Sequence, residues 1–139
     1  MLLETQDINT DLFDVLEKVP NAVFIRETSA YILDYDNSFT TNIVYEDNTD
    51  KHIAIEDLVY VSDKGVYVTS LIKTFCDIIL YEEYITGRYW EICSQIYGVY
   101  KYGANRDLGE QYLYNEAVKR IGKDLVDDNW SELEDYYNN

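Results

Sequence analysis

Histidine and cysteine, two residue types that often perform catalysis, are scarce in this sequence. Its one histidine, His52, lies in a segment predicted as a short strand, and no Ser-His-Asp or Cys-His constellation with a second histidine can be built. We therefore interpret His52 as a structural or surface residue. Cys76 and Cys93 lie among apolar residues, which predicts buried, reduced structural thiols. No His or Cys pair has zinc-ligand spacing, and neither a Walker glycine loop nor a GxGxxG motif is present.

Carboxylates are abundant, but no motif arranges them for catalysis. Asp34 and Asp36 superficially resemble a two-metal pair, yet no third acid is placed beside them by any motif. The segment also departs from a calcium-binding loop, with Phe39 where glycine is required and Tyr45 in place of the bidentate glutamate. We interpret it as a solvated turn. The sequence thus predicts a protein that is not an enzyme and that holds no metal or cofactor.

Net charge is the dominant feature of the composition. The 139 residues include 27 acids and 11 bases, for a formal net charge of −16, while 47% of the residues are hydrophobic. A hydrophobic fraction of that size is enough to form a core and predicts a folded domain rather than an acidic tail. Phosphate backbones and anionic lipids repel such a charge, so we expect no direct binding to nucleic acid or membrane. Without a signal peptide or an apolar span, we expect a cytoplasmic protein.

The acids are unevenly distributed along the chain. Residues 1–50 hold eleven acids and two bases, and residues 124–139 hold six acids and no base. Residues 88–123, in contrast, hold six bases and four acids. Acids that served only to keep the protein soluble would not predict this asymmetry. The uneven distribution favours a partner with a positive surface, which the acidic segments would attract.

Two rows of acids lie at helical spacing, and both are candidate partner-binding surfaces. The first predicted helix carries Asp7, Asp11, Asp14 and Glu17. The last carries Asp128, Glu132 and Asp135, with Asp127 and Glu134 beside them. Acids at i and i+4 lie roughly 6 Å apart, which approximates the spacing of phosphates along one nucleic-acid strand (about 6–7 Å). An ordinary solvated helix face is the alternative for each row. Further loop contacts are predicted at Glu46, Asp47 and Asp50.

The apolar pattern predicts an α+β fold. Two short helices are expected at 10–18, capped by Asn9 or Thr10, and at 26–34. A small antiparallel sheet follows, with strands at 41–45 and 52–55 and a hairpin of 58–61 with 65–68 turning at Gly65. After residue 69 the apolar period becomes helical, which predicts a C-terminal bundle of about four helices at 71–81, 88–102, 107–121 and 124–137.

Two segments together resemble the AbiEi-type antitoxin domain. Residues 22–33, AVFIRETSAYIL, resemble the short helix of that family, with its Ser-Ala core, followed by a strand. Residues 65–77, GVYVTSLIKTFCD, are similar to its strand running into a TS-x-x-(R/K)-T-x-x-D helix start, where Lys73, Thr74 and Asp77 take the matching places. The helix with Tyr114 and Ala117, which ends at Ile121-Gly122, is similar in style to the family's closing helices.

This resemblance covers roughly residues 22–125 and implies a non-enzymatic domain. We expect the chain to form a single domain over 1–139, with a mixed part at about 1–69 and a helical part at about 70–139. Members of the family usually partner a nucleotidyltransferase-like toxin from the same operon and carry an N-terminal winged helix that binds operator DNA. Only about twenty residues precede the matching region, so we expect a stand-alone copy without the winged helix.

The sequence favours two functions over the remaining alternatives, which are a small enzyme and a structural or assembly protein. The first is an acidic inhibitor, of phage or mobile-element origin, that mimics DNA and blocks the basic nucleic-acid-binding surface of a defence nuclease, as anti-CRISPR and anti-restriction proteins do. The alternative is an antitoxin that neutralises a nucleotidyltransferase toxin of the AbiEi/AbiEii type by direct protein–protein binding. The charge and the expected absence of a DNA-binding unit favour the inhibitor.

Overall fold

Strands and helices are mixed in the first half of the chain, whereas helices alone follow in the described part of the second half. The structure is a computed structural model that describes residues 2–4, 11–36, 43–81 and 87–138. It confirms the α+β class. The chain divides into two compact units, Met1–Ser70 and Leu71–Asn139.

Helix α1, Leu12–Lys18, begins with a reciprocal cap. The side chain of Asp11 accepts the backbone N–H of Asp14 at 2.9 Å, and the Asp14 carboxylate accepts the N–H of Asp11 at 3.2 Å. These bonds satisfy two backbone donors that the start of a helix would otherwise leave without partners. The predicted caps, Asn9 and Thr10, lie outside the described residues.

A five-stranded sheet forms the centre of the first unit, in the order β1-β3-β2-β5-β4. The strands are β1 (Leu2–Glu4), β2 (Ala22–Phe24), β3 (Val44–Asp47), β4 (Leu58–Val61) and β5 (Val66–Thr69). Strand β2 pairs parallel with β5, and every other neighbouring pair is antiparallel. The sheet is therefore mixed, and the prediction of an antiparallel sheet is wrong. Strand β2 was not predicted, because its three residues are too few to show an alternating pattern and a helix follows them closely.

The hairpin of β4 and β5 agrees with the prediction. The carbonyl of Val61 accepts the N–H groups of Lys64 and Gly65 at 3.1 and 2.8 Å, and Gly65 has a φ of +66°. The strand predicted at 52–55, in contrast, is wrong: a 3-10 helix, Ile55–Asp57, begins there. The Ile53 N–H donates to the Asn48 side chain at 2.9 Å, so it is not available for strand pairing.

Helix α2, Arg26–Ile32, is tied to the sheet by two buried hydroxyl groups. The Thr28 hydroxyl accepts the Val44 N–H at 2.8 Å, and the Ser29 hydroxyl donates to the Thr69 carbonyl at 2.9 Å. Successive strand residues point to opposite faces of the sheet, so the buried residues of the strands belong to two apolar clusters. The larger apolar cluster comprises Val15, Ala22, Phe24, Ile32, Ile43, Val66 and Val68, and the smaller one comprises Val23, Ile25, Val44 and Ile53.

The described residues of the second unit form four helices: α3 (Leu71–Tyr81), α4 (Gly87–Lys101), α5 (Glu110–Ile121) and α6 (Lys123–Asn138). Helix α6 packs against the other three. Within the described residues, no helix has the length and apolar character that crossing a bilayer requires.

Helix α5 begins three residues later than predicted. Gly109, with a φ of +85°, precedes the first helical residue, so Leu108 lies in a turn and is 54% exposed. Leu108 and Tyr112 are exposed, although the predicted helix would have placed both on its apolar side, whereas Leu113 and Ala117 are fully buried.

Trp130 organises the aromatic part of this core. Its indole makes edge-to-face contacts with Phe75, Tyr97 and Tyr114, at centroid distances of 6.2, 5.6 and 5.2 Å. Cys76 and Cys93 are both buried thiols, which confirms them as core residues. Burial, and then the neighbouring Cys76, raises the pKa of Cys93 far above its usual value.

Candidate protein-binding surfaces

The acidic row of the first helix has a structural role in its own unit. Asp11 and Asp14 form the capping box of α1, so their carboxylates are occupied by backbone N–H groups. Glu17 is exposed on the same helix, and Asp7 lies outside the described residues. Two acids predicted to bind a partner therefore stabilise the start of α1.

The acids predicted as loop contacts are also occupied. Glu46 and Asp47 belong to strand β3, because that strand ends two residues later than predicted. Asp47 accepts both the N–H and the hydroxyl of Thr49, at 3.0 and 2.5 Å. Asp50 and Glu46 hold the two ring nitrogens of His52, the second at 3.1 Å.

This clamp sets the protonation of His52. The hydrogen bond to Asp50, and next the one to Glu46, raises the pKa of His52 above its ordinary value of 6.5. The same histidine lowers the pKa of Asp50. His52 is thus a structural group that fastens the connection after β3, and its positive form offsets part of the local acidity.

In the last helix, two of the predicted acids have partners or limited exposure. Asp127 accepts the Tyr114 hydroxyl and the Lys123 ammonium, both at 2.5 Å. Lys123, and then Tyr114, holds the pKa of Asp127 below its usual value. Glu134 is only half exposed. Neither side chain is an open charge.

The remaining acids of α6 form an open surface. Asp128, Glu132 and Asp135 are exposed and make no ion pair with the described part of the chain. Asp124, which the sequence reasoning left out of the row, extends it by one helical turn. At 100° per residue these four acids fall within an arc of about 80° and span roughly 16 Å along the axis. We call these four residues the α6 acidic face.

Buried residues on the opposite side fix this face in place. Val126 is 0% and Leu133 is 1% exposed. Trp130, which lies between these two residues along the chain, packs its ring against the aromatic core. Because α6 buries one side against α3, α4 and α5, its other side is presented on a rigid element. The spacing of Asp124, four residues before Asp128, was the sequence signal that could have included it.

Other acids do not assemble into a metal-binding group. Among the described residues, no set of three or more His, Cys, Asp or Glu side chains is close enough to hold a metal ion. Asp34 and Asp36 lie in or beside a turn, as predicted, but Asp36 is buried, so only Asp34 is solvated.

Fold and surface together define an α+β protein with one acidic helix face. No known protein family, no curated protein and no solved structure matches this chain. Within residues 22–33, strand β2 precedes helix α2, which reverses the order that the AbiEi resemblance implied. Ser29 and Ala30 are fully buried, and β5 leads directly into α3, where Lys73 pairs with Asp77 at 2.9 Å.

Proposed function

We propose that this protein is a non-enzymatic acidic inhibitor that binds the basic nucleic-acid-binding surface of a defence nuclease, of the anti-CRISPR or anti-restriction type. The observation that carries the proposal is the α6 acidic face, whose four exposed carboxylates lie on one side of a packed helix.

The dimensions of this face suit a groove that grips nucleic acid. Four charges over roughly 16 Å correspond to the length that about five phosphates occupy along the axis of one DNA strand, at 3.4 Å each. Lysine and arginine side chains that neutralise phosphates can pair with carboxylates in the same positions. The inhibitor is therefore proposed to compete with DNA by occupying the cations of its target.

The overall charge supports the approach of such a partner. A protein with a net charge of −16 is attracted to a basic groove over a distance of about 8–10 Å at moderate salt, which raises the association rate. The same charge disfavours direct binding of the protein to DNA or RNA.

The test is a competition assay with a charge-reversed helix. In the test variant Asp128, Glu132 and Asp135 are changed to lysine, which moves the net charge by six units, from −16 to −10. In the matched control the exposed acids Glu56, Asp63 and Asp107 are changed to lysine, for the same net charge. The assay measures recovery of a guide-loaded type II CRISPR nuclease and of a nucleotidyltransferase toxin on the tagged protein, at low and at moderate salt.

We expect salt-sensitive recovery of the nuclease with loss of its DNA binding, and a reduction of at least tenfold in affinity for the test variant. The control variant is expected to lose less than about threefold, because only long-range attraction is reduced. Equal losses for both variants would reduce the α6 acidic face to a solvated surface. Circular dichroism of each variant verifies that the fold is retained.

An antitoxin acting on a nucleotidyltransferase toxin is the second candidate. It is favoured by the passage from β5 into α3, which carries the TS-x-x-K-T-x-x-D pattern with Thr74 and Asp77 buried. Recovery of the toxin alone, with equal strength for wild type and α6 variant, would select this function over the inhibitor.

A further inference from the structure

A groove of about 620 Å³ opens in the first unit, beside the residues at which β2 and β5 begin. Its volume lies within the range of small-molecule sites, roughly 300–1,000 Å³. Apolar side chains form much of its wall, among them Leu16, Val23, Ile53, Ile55, Leu58 and Tyr67. Ile55 is 84% exposed and Tyr67 is 48% exposed, so part of this apolar wall faces solvent.

The charge of the groove differs from that of the rest of the protein. The chain has 27 acids, yet the lining includes no carboxylate and a single charged residue, Lys51. Lys51 is exposed and makes no ion pair with the described part of the chain. An apolar wall with one unpaired cation is complementary to a ligand that has an apolar body and one negative group.

The backbone holds Lys51 and Asn48 together at this wall. The Lys51 N–H donates to the Asn48 carbonyl at 2.9 Å, which closes a turn, and Lys51 has a φ of +58°. Asparagine and glycine adopt this left-handed conformation more readily than lysine, so backbone preference does not explain the lysine at this position. The Asn48 side-chain oxygen accepts the Ile53 N–H, while its amide nitrogen has no acceptor within the described residues. Ammonium and amide are thus two donors at one groove.

The acids in the segment that carries Lys51 repel an anionic ligand less than their number suggests. Glu46 and Asp50 are both bonded to His52, whose raised pKa favours its positive form. One positive imidazolium therefore offsets one of these two negative charges in the segment that carries Lys51.

We propose that this groove binds a small amphipathic carboxylate, with an aliphatic or aromatic body against the apolar wall and its carboxylate paired with the Lys51 ammonium and the Asn48 amide. This site belongs to the first unit and does not depend on the α6 acidic face. Its failure would leave the proposed inhibitor function untouched, and the reverse also holds.

The test uses three probes with the same ten-carbon chain and different head groups: decanoate, decan-1-ol and decyltrimethylammonium, each below its micelle concentration. Binding to the full-length protein is measured by calorimetry at 0.15 M salt, and the site is located by NMR shift changes. Decanoate is expected to bind about two- to fivefold more tightly than the alcohol, the range of one partly exposed charge pair, and the cation more weakly than either. The resonances of Ile53, Ile55 and Tyr67 are expected to shift.

Two variants separate the charge from the fold. Lys51→Asn keeps a residue that tolerates the left-handed backbone and removes the charge, so decanoate is expected to bind as weakly as the alcohol while the alcohol is unaffected. Lys64→Gln removes an exposed lysine that does not line the groove and is expected to change neither affinity. No binding of decanoate, equal or tighter binding of the cation, shifts confined to other residues, or an unchanged Lys51→Asn variant would each overturn the proposal.

Discussion

Truncating Leu133 to alanine is expected to lower the free energy of unfolding of the second unit much more than truncating an exposed leucine. Leu133 lies on the inner side of α6 and is 1% exposed, so its side chain is removed from water almost completely. A Leu→Ala change at such a site costs about 3 kcal/mol, from lost apolar transfer and from the cavity left behind. That is a large part of a typical total of 5–15 kcal/mol and corresponds to a fall in Tm of roughly 10 °C.

The assay is urea unfolding followed by circular dichroism, with Leu108→Ala as the matched control. Leu108 is 54% exposed in the turn before α5, so the same truncation there is expected to cost less than about 0.5 kcal/mol. A loss below about 1 kcal/mol for Leu133→Ala, or equal losses at the two positions, would refute the packing of α6. The proposed inhibition is expected to weaken with Leu133→Ala under conditions in which the second unit unfolds.

Three further predictions concern single charges. The only histidine gives one set of imidazole NMR signals, whose titration midpoint is expected above pH 6.5 and lower in Asp50→Asn. The clamp stabilises the fold fully below pH 6.5, and its contribution is lost as pH rises through the raised folded-state pKa of His52. His52→Gln should abolish this pH-dependent loss. Asp11→Ala is expected to lower the free energy of unfolding by about 1 kcal/mol in urea titrations through loss of the α1 cap, whereas Asp107→Ala should leave it nearly unchanged; equal effects would contradict the capping role. Asp135→Asn is expected to raise the melting temperature slightly, because a negative charge in the last turn opposes the helix dipole, and a lowered value would count against this reasoning.

Long periodic segments of the fold were predictable from the sequence, and the short ones were not. The four helices after residue 70 and the β4–β5 hairpin follow from apolar spacing and from a glycine at a turn. Strand β2 has three residues, too few for an alternating pattern, and its parallel pairing with β5 depends on contacts distant in the chain. The apparent strand at 52–55 failed because the Asn48 side chain captures the Ile53 N–H, a contact that apolar periodicity does not encode.

Acidic residues were predictable as a surface feature but not by their individual roles. Spacing placed Asp11 and Asp14 in a row, and that spacing, three residues apart, is also the geometry of a capping box. Likewise, Asp127 was grouped with Asp128, although one is bonded to Tyr114 and Lys123 and the other is open. Helical periodicity shows which residues share a side, whereas partners that come from other elements decide which charges remain available.

Asp128, Glu132 and Asp135 of the α6 acidic face are costly to their own helix, and this cost supports the proposal that the face binds a partner. Asp124 with Asp128, and Asp128 with Glu132, are like charges at i and i+4, each of which destabilises a helix by a few tenths of a kcal/mol. Asp135 adds an unfavourable charge in a last turn that has no basic residue. Interleaved lysines would have kept the helix equally well solvated and more stable. Asp11 and Asp14 of α1 and the acids of the β3 connection have structural roles, whereas the four acids of the α6 acidic face make no ion pair within the described chain, which is what the proposed binding to a basic partner requires.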